Sequence, residues 1–183
     1  MHALVIYESM FGNTHHIADA ISRGLVSSGD VVVVQVEKAT PELVAGADLL
    51  VVGGPTHVHG ISRESTRKAA VEQAGAPDSA LELDADAEGE GLREWFDELG
   101  DAPGAAAAFD TRIEGSALLT GRASKGIAAR LRRHGLDVIA APTSFLVHKD
   151  TTLVDGELER AERWGATLAQ SLEARAESTQ RPV

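Results

Sequence analysis

A hydroxyl- and glycine-bearing turn, Ser9-Met10-Phe11-Gly12-Asn13-Thr14, constrains this chain more than any other stretch. The apolar run Ala3-Leu4-Val5-Ile6-Tyr7 precedes it, and from Thr14 onward Ile17, Ile21 and Leu25 recur at helical spacing. A strand therefore delivers the chain into a short turn that opens a helix. The N-terminus of a helix carries unpaired main-chain N–H groups and a positive partial charge, which suits an anionic phosphate. Ser9 and Thr14 add hydroxyls, and Gly12 permits close approach or a positive φ. No Lys follows a glycine pair here and G-x-G-x-x-G is absent, so neither the Walker loop nor the dinucleotide fingerprint is present. A simple N-cap at Asn13 or Thr14 would use the same residues.

The rest of the chain repeats the alternation. Val31 to Val36 is β-branched and reads as a second strand, and Thr40-Pro41 opens a short helical turn. Leu49-Leu50-Val51-Val52 is a continuous apolar run, expected of a central parallel strand. It empties into Gly53-Gly54-Pro55-Thr56-His57-Val58-His59-Gly60, a loop at the strand end where such sheets bind ligands. Ala105 to Phe109 is read as strand four, Ser124 to His134 as a helix, and Asp137 to Val147 as strand five interrupted at Pro142. A last helix is expected over Gly156 to Ala174 and a frayed tail from Glu177, so residues 1–175 form one domain. Within it, residues 61–91 are an insertion, acidic between Glu82 and Glu90 and expected as a surface excursion. The order βαβαβ…αβαβα predicts an α/β fold, a doubly wound five-stranded parallel sheet between helices.

Tyr7-Glu8-Ser9-Met10-Phe11-Gly12-Asn13-Thr14 resembles the phosphate loop of the flavodoxins, usually written [ST]-x-[ST]-G-x-T, with Phe11 in place of the third-position hydroxyl. Gly54-Pro55-Thr56-His57 is similar to the start of that family's second flavin loop, with His in place of an aromatic. The resemblance implies strand order 2-1-3-4-5 and an FMN whose phosphate meets Ser9, Met10, Phe11, Gly12, Asn13 and Thr14. It places Pro55, Thr56, His57, Val58, His59 and Gly60 beside the ring. Asp110, Thr111 and Arg112 occupy the third loop. It implies electron transfer with redox partner proteins. Ser-Met-aromatic-Gly also looks like the flavodoxin-like NAD(P)H:quinone oxidoreductases.

Neither flavin loop holds the Trp or Tyr that usually flanks the ring; His57, His59 and Phe11 are the available planar groups. A flavin-free interaction domain is the reading this absence favours. Arg112 either sets a cation near the pyrimidine end of the ring or pairs with Asp110 or Glu114. His57-x-His59 has no carboxylate at ligand spacing and is not read as a metal pair.

Composition narrows the classes further. A net charge of −11 disfavours nucleic acid as a partner, and the absence of cysteine excludes thiolate metal sites, Fe–S clusters and disulfides. No apolar stretch reaches membrane-span length, so no membrane partner is expected and the cytoplasm is the expected compartment.

Overall fold

The computed structural model describes residues 1–79, 81–84, 87 and 89–180. The elements in chain order are β1 (His2–Tyr7), α1 (Asn13–Leu25), β2 (Asp30–Gln35), α2 (Pro41–Ala45), β3 (Leu49–His57), β4 (Gly60–Ile61) and α3 (Glu64–Ala74). They continue as α4 (Leu92–Glu98), β5 (Gly104–Ile113), α5 (Ala117–Thr120), α6 (Ala123–Arg133), β6 (Leu136–Val138), β7 (Thr143–Val147) and α7 (Glu157–Gln180).

The main sheet runs β2-β1-β3-β5-β6, parallel at each pairing, with β7 continuing beside β5 where β6 stops. This is the 2-1-3-4-5 order, its fifth position split into β6 and β7 on either side of Pro142. The expected five strands become seven because of that split and because β4 pairs antiparallel with the end of β3.

Period-two alternation sorts the strand residues between two cores. Leu4, Ile6, Leu50, Val52, Ala106 and Ala108 pack on Leu92, Trp95 and Phe96 of α4 and on Ile127, Ala128 and Leu131 of α6. Ala3, Val5, Leu49, Val51, Ala107 and Phe109 face Ile17 and Ile21 of α1 and Ala161 and Leu168 of α7. Fully burying a Leu, Ile, Val or Phe is worth about 1.5–3 kcal/mol, so these faces hold the sheet between its helices. Trp95 is buried in the core, and its indole N–H donates to Ala39 O.

Three boundaries differ from expectation. Gly53 to His57 is strand, not loop, because Gly53, Gly54 and Pro55 pair with Phe109, Asp110 and Thr111. The Phe109 ring lies where a Gly53 side chain would be, 2.2 Å from an added Cβ. Asp110, Thr111 and Arg112 are likewise strand rather than loop, since β5 runs on beside β7 to Ile113. The last helix extends to Gln180, past the expected Ala174. Within the acidic insertion, positions 80, 85, 86 and 88 lie outside the described residues. The described part leans on the first turn: Asp84 N donates to Met10 O at 2.8 Å, and Ala87 is buried beside Met10 and Ala70.

Candidate functional site

The carboxyl ends of β1, β3, β5 and β7 meet at a cleft of about 270 Å³. Its walls include Ser9, Met10, Phe11, Asn13 and Thr14 from the first turn, Pro55, Thr56 and His57 from β3, and Thr111, Arg112 and Ile113 from β5. Of the sequence-predicted residues, all but Gly12, Val58, His59, Gly60 and Asp110 thus line one place.

At one end the first turn is wound tightly. Gly12 takes φ +82°, a left-handed conformation that costs other residues strain, and its N–H donates to Ser9 Oγ at 3.1 Å. His16 N bonds Gly12 O, so the amides of Asn13, Thr14 and His15 precede the first intrahelical bond of α1. Ser9 accepts from Gly12 and keeps its own O–H to donate. Thr14 and Thr111 share a hydroxyl–hydroxyl bond of 2.8 Å, both nearly buried on the cleft wall. That bond uses one of their two protons and leaves the other to donate. Donors without an acidic neighbour in the turn itself are what a bound monophosphate needs, so these residues fit the group that the loop pattern implies. His15 stacks on Tyr7 and lies 3.5 Å from Asp84.

At the other end β3 and β4 form a two-residue hairpin. Val58 and His59, at its tip, have φ of +44° and +71°. Positive φ at both positions is the signature of a type I′ turn, usually filled by Asn and Gly; a β-branched residue there is strained. His59 bridges to Gly121, and an added Cβ on Gly121 would sit 2.2 Å from His59 Cα. His57 lines the cleft, whereas exposed Val58 and His59 and the half-buried Gly60 stand outside its lining. Burial, with the nearby Arg67 guanidinium, holds His57 below the ordinary histidine range. The ring is therefore a neutral imidazole at neutral pH.

Three predicted site residues have structural duties. Asp110 Oδ2 accepts from Ser124 N at 2.7 Å and Thr56 Oγ1 from Ala123 N at 2.9 Å, so together they cap α6. Asp110 is fully buried and outside the cleft lining. Arg112 pairs with neither Asp110 nor Glu114. Its Nη1 donates to Ile113 O, Gly115 O and Thr120 Oγ1, bracing the segment after β5. That segment carries α5, and Leu118 and Leu119 stand exposed on it at 88% and 74%.

Sequence reasoning missed Ile113, Leu81, Gln73 and the β7–α7 segment, which contributes Lys149 and Thr151 to the cleft. The signal was available for the last: it follows the fifth parallel strand at the same sheet edge.

Solved structures share this architecture. A flavodoxin from the domain Archaea is 21% identical, covering 94% of this chain and 99% of its own, with TM-score 0.65. Flavodoxin 1 from Bacillus cereus is 16% identical over 93% and 98%, at 0.63. The WrbA-like protein from Agrobacterium tumefaciens is 18% identical over 94% and 98%, at 0.55. No curated protein matches the sequence. The flavodoxin family profile matches residues 5–96, half of the chain, including the first turn and the β3 end. This chain belongs to the flavodoxin family, whose members bind FMN.

Proposed function

We propose that this protein is an FMN-dependent electron carrier of the cytoplasm, passing electrons between redox partner proteins. One observation carries the reading. The donors of the first turn of α1 and the paired hydroxyls of Thr14 and Thr111 line the same cleft as His57 and Arg112. FMN, when bound, supplies the one- and two-electron chemistry; the protein supplies orientation and charge.

In this reading the main-chain amides of Asn13, Thr14 and His15, with the Ser9 hydroxyl, hold the phosphate. Thr14 and Thr111 donate their remaining proton into the cleft. His57 and Phe11 offer planar surfaces, His57 as neutral imidazole. The Arg112 guanidinium favours whichever redox state carries more negative charge.

Phe11 favours a second reading, an FMN-dependent NAD(P)H:quinone oxidoreductase. The absorbance spectrum of FMN-loaded protein, followed during addition of dithionite and then, separately, NADPH with a quinone, separates the two. A carrier is bleached by dithionite and leaves NADPH unconsumed. Sustained NADPH oxidation assigns the oxidoreductase. Failure to take up FMN at all leaves the flavin-free interaction domain.

A further inference from the structure

The β7–α7 segment that walls the cleft is a built hairpin tip. Val147 and Leu153 bridge antiparallel, His148 N donates to Thr152 O at 2.8 Å, and Val154 N donates to Leu146 O at 3.0 Å. Lys149-Asp150-Thr151 form the three-residue tip, with Thr151 N returning to His148 O at 3.1 Å. Thr151 has φ +67°, the left-handed position such loops need at their third residue and usually fill with Gly. A β-branched residue held there is strained, and strain of this kind persists where the surroundings fix it. Here the fixing group is Asn13, whose Nδ2 donates to Thr151 O. The tip is thereby tied to the first residue of α1.

The charges on this tip are not equivalent. Asp150 turns back on its own loop, Oδ1 accepting from Thr152 N at 3.1 Å and Thr152 Oγ1 at 2.7 Å. His148 faces Glu114 at 2.8 Å. Lys149 lines the cleft, is exposed, and makes no ion pair among the described residues. The stretch Ser9 to Thr14 has no cation of its own, and a protein of net charge −11 repels an approaching dianion.

We propose that Lys149 is a phosphate-binding residue of this cleft, supplying from the β7–α7 tip the positive charge that the first turn lacks. The inference rests on the FMN reading and adds a side-chain cation to it. Lysine suits the task as a compact point charge on a flexible stem, and the Asn13–Thr151 bond keeps its base beside the phosphate end.

The test compares FMN with riboflavin, which lacks the phosphate, on apo wild type, Lys149→Gln and Lys149→Arg. Binding is read by flavin fluorescence at about 20 mM and about 500 mM salt, conditions on either side of strong screening. Lys149→Gln is expected to weaken FMN about tenfold at low salt and leave riboflavin unchanged, with the loss shrinking at high salt. Lys149→Arg is expected to stay within about twofold of wild type, because it keeps the charge. Equal FMN affinity of wild type and Lys149→Gln at low salt overturns the proposal, as does an equal loss for both flavins. A wild type that takes up neither flavin refutes the FMN reading, and the proposal falls with it.

Discussion

The two ends of the cleft are built differently. The phosphate-loop end is wound into α1, carries buried hydroxyls and is covered by Ala87 and Asp84 of the insertion. The opposite end is a strained hairpin and an exposed loop, joined by one close backbone contact between His59 and Gly121. The first end offers many fixed donors and little exposed surface. The second offers Val58, Leu118 and Leu119 to solvent, all largely exposed, and a single neutral imidazole to the cleft. Under the proposed function the difference is a division of labour: affinity would be set at the phosphate end, and potential and contact with other proteins at the ring end.

The largest effect expected comes from the contact that joins the two ring-end loops. Gly121→Ala puts a Cβ into His59 backbone at φ +79°, where neither atom can give way. We expect a stability loss of about 3 kcal/mol in urea unfolding, from overpacking and strain together. Gly12→Ala meets only the end of the His16 ring at 3.7 Å and carries strain alone, about 1–2 kcal/mol. Equal losses would erase the proposed difference in how the two ends tolerate a side chain.

Next in size is Thr14→Val. Hydrogen bonds to a charged group are worth roughly 1.5–3 kcal/mol, so FMN should weaken about tenfold or more while riboflavin hardly changes. The variant also leaves the buried Thr111 hydroxyl without its partner, so apo stability should fall by about 1–3 kcal/mol. Parallel weakening of both flavins would move the hydroxyl pair from the phosphate to the ring.

A smaller effect follows pH. The His57 ring is held below its ordinary value of 6.5 by burial first and Arg67 second, so the folded state binds fewer protons than the unfolded one between those values. The stability linked to His57 is complete above about pH 6.5 and is lost as pH falls through the folded value. Unfolding of wild type and His57→Phe at pH 7.5 and 5.5, chosen to lie about one pH step either side of 6.5, reads the difference. Wild type should lose more than the variant, by on the order of 1 kcal/mol or less. Potential–pH lines of the two loaded proteins should coincide above pH 6.5, since the imidazole is already neutral there. An extra slope in wild type alone would restore a charged His57.

The smallest effect belongs to Leu118→Ser and Leu119→Ser. Their exposure predicts unchanged melting within about 0.5 kcal/mol, while binding to a redox partner, measured with the loaded protein, weakens. A clear fall in melting temperature would show these side chains to be packed rather than presented.

Much of this was legible in the residues. The alternation of apolar runs gave every main strand, because burial on both faces of a parallel strand leaves continuous hydrophobes. The first turn was legible because glycine and hydroxyls stand at a strand–helix junction. Strand ends were not, since Gly53 to His57 and Asp110 to Ile113 carry turn-like residues and are extended only because each has a partner across the sheet. Thr56 and Asp110 read as site residues, yet their hydrogen bonds go to α6, a contact that joins residues far apart in the chain. The acidic insertion hid Ala87 and Leu81, small or isolated apolar residues whose burial beside Met10 or placement in the cleft no periodicity marks.

The central claim is that the phosphate end of this cleft reads a flavin monophosphate. Titrating the apo protein with FMN and with riboflavin, followed by quenching of flavin fluorescence, tests it most directly. The account predicts saturable binding of one FMN per chain and at least about tenfold weaker riboflavin, the value of one charge-assisted hydrogen bond or more. Indistinguishable affinities for the two flavins, or no quenching by either, would contradict it.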